Sequence, residues 1–155
     1  GTPAPARRRA AAEALAIAEA LAPGRPWHCH SLTLAGRLAL EARPGEALDR
    51  LRRALGVCAD AHGPQDVRLP QLQLQVMRAL LATDRPGEAL ALAQGLARPL
   101  AGHGLDAGLA TLYALGARAA GATGDAGAAA GAAARARAWG ARAFGPAPAA
   151  PIDWY

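Results

Sequence analysis

The sequence contains no lysine: all seventeen basic residues are arginine. A GC-rich genome accounts for such an Arg-only chain dominated by Ala, Gly and Pro, so the missing Lys has no functional meaning by itself. It does remove the cation that a nucleotide-binding loop requires, and Gly121-Ala122-Thr123-Gly124-Asp125 reads as a connection between helices. Aromatic residues make up only 4%, so the core is built from Leu, Val, Ile and Ala and is shallow. The same scarcity leaves no aromatic platform on which nucleic-acid bases could stack. No apolar run reaches the roughly eighteen residues of a membrane span, and the first residues lack the basic, apolar, small-residue order of a secretion signal. A cytoplasmic location without a membrane partner is therefore expected. The two cysteines do not form the paired Cys-x-x-Cys spacing of common zinc sites. Four His and twelve acidic residues show no triad-like or paired-carboxylate spacing. The expectation is a protein that is not an enzyme and uses no cofactor.

What the chain does contain is a repeat. Arg43-Pro44-Gly45-Glu46-Ala47-Leu48 recurs unchanged at Arg85-Pro86-Gly87-Glu88-Ala89-Leu90, forty-two positions later. Apolar residues at helical spacing flank both copies. A fixed period of this length built from helix, turn and helix indicates units that bury their apolar faces on one another. At 155 residues and 52% hydrophobic, the chain is long enough for one compact domain and short for two.

Pro and Gly punctuate the sequence regularly and leave seven helical segments, at about 5–22, 27–42, 45–62, 68–83, 86–101, 105–121 and 125–143. The expected fold is all-α, an α-solenoid of antiparallel helical hairpins. Its organisation is a capping helix, or the second helix of a truncated repeat, at 1–22, a repeat domain at 23–143 and an extended tail at 144–155. The abrupt start without Met is read as a segment of a longer protein or a processed product. In the first hairpin Leu34, Ala35 and Leu38 form the stripe expected to face Ala47, Leu48, Leu51, Ala54 and Leu55. Val76, Met77 and Leu80 are expected against Ala89, Leu90, Leu92 and Leu96, and Leu112 and Leu115 continue the pattern. Gly127, Gly131 and Gly140 make the last helix the loosest.

These hairpins resemble tetratricopeptide repeats. Leu34-Ala35 with Ala47 and Ala54 matches the family's alternation of large and small residues, Val76-Met77 with Ala89 and Leu96 matches in part, and Leu115-Gly116 with Ala128 and Arg135 matches least. The forty-two-residue period and Gly63-Pro64-Gln65-Asp66-Val67 are similar to the longer kinesin-light-chain-like variant; the family's bulky aromatic positions are missing. The resemblance covers residues 27–143. It implies a protein-protein interaction module that docks a protein or peptide on the concave face of its first helices. The positions that align with that face are Thr33 and Gly36, then Gln71, Gln75 and Arg78, then Tyr113 and Ala117. Gln71, Gln75 and Arg78 form a polar stripe able to hydrogen-bond a peptide backbone or a carboxylate. An exposed helix face without function explains that stripe equally well. By similarity the chain is expected to be the C-terminal part of a multidomain bacterial regulator. The alternatives are an effector-sensing domain holding a small molecule and a basic nucleic-acid-binding repeat. The net charge of +5 and pI near 10.5 favour acidic partners or nucleic acid. Against nucleic acid, the arginines are spread through every helix.

One cluster could bind metal: His28, Cys29 and His30 with Cys58 and His62. Cys58 and His62, four apart, share a helix face. If the chain folds back near residue 43, Cys29 and Cys58 lie level. Two thiolates with two imidazoles would suit zinc; a disulfide between the same cysteines and two unlinked thiols are the other states. Helix axes about 8–10 Å apart, together with the missing secretion signal, make unlinked thiols the default. Arg7-Arg8-Arg9 reads as a solvated charge run, and Trp27, Trp139, Trp154 and Tyr155 as packing anchors or tail contacts.

Overall fold

The computed structural model describes residues 4–145, and among these it forms seven α-helices and no strand. They are α1 (Ala4–Leu21), α2 (Pro26–Ala39), α3 (Pro44–His62), α4 (Arg68–Ala82), α5 (Pro86–Gly102), α6 (Asp106–Ala122) and α7 (Ala126–Phe144). The all-helical expectation holds, and every segment lies within a few residues of its expected place. The largest difference is the end of α2. Residues 40–42 form a turn instead of a last helical turn, with Leu40 N–H donating to the Arg37 carbonyl at 3.3 Å, and Arg43, disfavoured from helical geometry by Pro44, leaves the helix at φ −145°, ψ 68°. Of the tail expected at 144–155, Phe144 still belongs to α7; residues 146–155, with Trp154 and Tyr155, lie outside the described residues.

Both copies of the hexapeptide do the same local work. Pro44 and Pro86 open α3 and α5 at the position where a missing N–H costs nothing, and Glu46 and Glu88 sit in the first turn, where an acid complements the helix dipole. Glu46 pairs with Arg43 at 2.8 Å and with Arg50. At the other ends, α4, α5 and α6 close with the same hydrogen bond, from Arg85 N–H to Leu80 C=O, Leu105 to Leu100 and Asp125 to Ala120, each 2.9 Å. The residue before each of these donors has positive φ: Gly104 and Gly124 in two cases, Asp84 at 55° in the third.

The chain divides into two compact units, Gly1–Arg85 and Pro86–Tyr155. In the first, α2 packs against α1 and α3, and α4 against α3. The buried face of α2 is Leu32, Ala35, Gly36 and Ala39, spaced as one helical stripe, and that of α3 is Ala47, Leu48, Leu51 and Ala54. The α3 stripe is as expected save Leu55, which is half-buried, whereas α2 is turned. Leu34 is 37% exposed, Leu38 is half-buried and Leu32 is fully buried. The reason is Gly36, placed by resemblance on the concave face but buried here. A Cβ on it would stand 2.8 Å from Leu51 Cγ, so the seam forms where Leu51 can nest against bare backbone.

The second unit repeats this device. α6 packs against both α5 and α7, and a Cβ on Gly108 would stand 2.8 Å from Leu100 Cδ2. Its buried residues are Ala89, Leu96 and Leu100 on α5 and Leu109, Leu112, Leu115, Ala119 and Ala120 on α6. Leu90 and Leu92, expected in the core, are half-buried. No residue of α7 is buried, in keeping with its Ala- and Gly-rich sequence.

Candidate functional site

Three helix faces of the first unit border a groove of about 530 Å³. Pro26, His30, Thr33 and Arg37 come from α2 at steps of four, three and four, a single face. α4 contributes Arg68, Gln71, Leu72 and Gln75, again one face, and α3 contributes Cys58 and His62 from its last turns. Trp27 stands at the rim, 73% exposed, and is not the packing anchor its residue type implies. Among the described residues no acidic one lines the groove.

Cys29 and Cys58 lie in its wall, joined as a disulfide with their Cα atoms 4.9 Å apart. The expected level register is therefore correct, and the default of unlinked thiols is not. Both cysteines are buried and point into the seam, which brings their Cα atoms within disulfide reach, and the small residues Ala35, Gly36, Ala39, Ala47 and Ala54 along it suit close packing of the two helices. The zinc arrangement falls with it, since sulfurs bonded to each other are not thiolate ligands. The imidazoles also diverge. His30 and His62 reach the groove, whereas His28 is buried, its Nδ1 accepting from Gly24 N–H at 3.1 Å and its Nε2 lying 3.8 Å from Glu19. Among the described residues no group of three or more His, Cys, Asp or Glu is placed to hold a metal.

Of the concave-face residues, Thr33, Gln71 and Gln75 converge on the groove. Arg78 lies one turn beyond them and donates from Nη1 to Gln75 Oε1 at 3.4 Å. Tyr113 belongs to the second unit, where the Arg135 guanidinium stands 5.6 Å from its ring centroid. Thr33 is oriented by its own helix, donating to the Cys29 carbonyl at 2.9 Å.

Arg68 is fixed by Asp66. Nε and Nη2 donate to the two carboxylate oxygens at 2.8 and 2.9 Å, and the Arg68 backbone N–H donates to Oδ1 at 2.8 Å. These bonds, the side-chain ones foremost, hold the Asp66 carboxyl down from 3.8 to about 2. Arg37 has no ion pair among the described residues, so it is the cation open to a ligand. The sequence carried a usable signal for these additions. Residues 26, 30, 33 and 37 repeat at helical spacing with only polar or cyclic side chains, as do 68, 71 and 75. What it did not reveal was that the two faces meet.

Comparison with known proteins returns no matching family model, curated protein or solved structure. Among the described residues no helix is long and apolar enough to cross a membrane.

Proposed function

We propose that the chain is a helical-repeat binding module, its helices stacked as tetratricopeptide-like antiparallel hairpins, that takes an acidic segment of a partner protein in the groove between α2, α3 and α4. In this reading it is the ligand-binding part of a larger bacterial regulator and has no catalytic role. One observation carries the reading: Thr33, Gln71 and Gln75, aligned with the family's binding face from sequence, line a single groove whose charged members are all basic. Gln71 and Gln75 offer amides to an extended backbone, Arg37 a bidentate fork to a carboxylate, and Trp27 an apolar surface at the rim.

The test is an array of random dodecapeptides probed with the wild type and with Arg37→Ala and Gln75→Ala. Binders enriched in Asp and Glu that both variants lose are expected. Capture unchanged in both variants refutes the groove assignment.

A second reading has its own support, because about 530 Å³ lies within the range of small-molecule sites, roughly 300–1,000 Å³. The module would then sense an anionic effector, and a metabolite panel would raise the melting temperature of the wild type but not of Arg37→Ala.

A further inference from the structure

The Cys29–Cys58 bond is the one disulfide among the described residues, and it sits at the end of the α2–α3 seam away from the turn that joins the two helices, with both cysteines buried. From Leu32 to Ala39 and from Ala47 to Ala54 the seam is filled by buried Leu and Ala, and the short turn through Arg43 joins the helices at one end. The cysteines lie at the other end, in the first turns of α2 and the last turns of α3. Just outside them stand Gly24 at φ 73° and Gly63 at φ 93°, positions where the backbone can rotate without the cost a side chain imposes.

The residues this bond immobilises are those of the groove. His30 follows Cys29 directly, His62 is one turn from Cys58, and Thr33 Oγ1 lies 3.9 Å from Cys58 Sγ. Both cysteines line the groove but are buried, at 6% and 3% exposure, so a small thiol attacks the sulfurs from that side when the adjoining helix ends open.

We infer that the Cys29–Cys58 disulfide is a thiol-responsive clamp on the groove. Oxidised, it fixes the start of α2 against the end of α3 and holds the binding walls in place. Reduced, both ends are released while the Leu and Ala seam keeps the helices together. In the reducing step the thiolate of a low-molecular-weight thiol attacks one sulfur, and the S–S bond breaks with its electron pair on the other, which takes a proton. A second thiolate resolves the mixed disulfide, so two thiols become one disulfide and two electrons and two protons pass to Cys29 and Cys58. Thiols of this class keep cytoplasmic proteins reduced. The consequence for binding rests on the function proposed above; the clamp itself does not.

The test uses the full chain with and without dithiothreitol, and a Cys29→Ser/Cys58→Ser double variant. Helix content is read by circular dichroism, and hydrogen exchange is followed by mass spectrometry. Reduction without loss of helix is expected, with exchange at least about tenfold faster in residues 24–33 and 56–63 and unchanged in 44–55. A bond that resists until the protein unfolds, a reduced form that exchanges like the oxidised one, or a general loss of helix on reduction each overturns the clamp. Should the double variant not fold, the dithiothreitol comparison decides. The peptide array, probed in both states, separates the two claims. Capture by the oxidised form alone supports both, and equal capture overturns the regulation. Faster exchange with no capture in either state leaves the clamp standing and removes the groove as a binding site.

Discussion

The same substitution, Gly to Ala, is expected to have opposite signs at two places in the first unit. In α3, Gly56 is exposed and a Cβ there meets nothing within 4 Å. Gly56→Ala therefore gains the helix-propensity difference, about 1 kcal/mol. In α2, a Cβ on Gly36 meets Leu51 Cγ at 2.8 Å and Cδ2 at 2.9 Å, with the Ala47 carbonyl oxygen behind them at 3.5 Å. Leu51 is 0% exposed, so its side chain moves only by displacing other buried groups. Overpacking of this kind costs about 1–3 kcal/mol, so after the propensity gain Gly36→Ala destabilises by up to about 2 kcal/mol. Leu51→Ala alone loses about 2–5 kcal/mol, but in its background Gly36→Ala turns neutral or stabilising, because the obstacle has gone. Native-state hydrogen exchange of α2 and α3 measures all four proteins within one unit. A Gly36→Ala protein as stable as Gly56→Ala, or additive effects with Leu51→Ala, would refute the close-approach account.

The remaining expectations are smaller. Since Asp66 is held at about 2, its contribution is complete above its usual 3.8 and is lost as pH falls through about 2; Asp66→Asn should remove that part of the acid-unfolding curve and lower stability at neutral pH. Asp84, at φ 55° in a corner where Gly104 and Gly124 serve α5 and α6, should gain about 0.5–1 kcal/mol as Asp84→Gly, seen as a higher urea midpoint. Leu32→Ala, by contrast, should cost about 2–5 kcal/mol by the same assay, since Leu32 is fully buried.

The helices were legible because their signals are local. Pro44 and Pro86 start two of them, and glycines with positive φ mark most of the turns. The face of α2 is only partly legible, Ala35 but not Leu34 or Leu38, because the two leucines outweigh Gly36 on any hydrophobic count, while the packing is decided by which residue lets a neighbour approach. The groove was half legible. Thr33, Gln71 and Gln75 followed from face alignment, but Trp27, Arg37 and Arg68 join them only through the placement of α2 beside α3 and of α3 beside α4, which spacing along one helix cannot encode. The cysteines show the same limit in reverse: their register follows from numbering alone, whereas their bonding depends on both side chains pointing into the seam, which numbering does not fix.

α7, without a single buried residue, packs against α6 among the described residues. A helix so placed can peel away while α5 and α6 stay folded, giving a partial opening far cheaper than global unfolding. Protease access to Ala126–Phe144 would then report that opening rather than the stability of the whole chain.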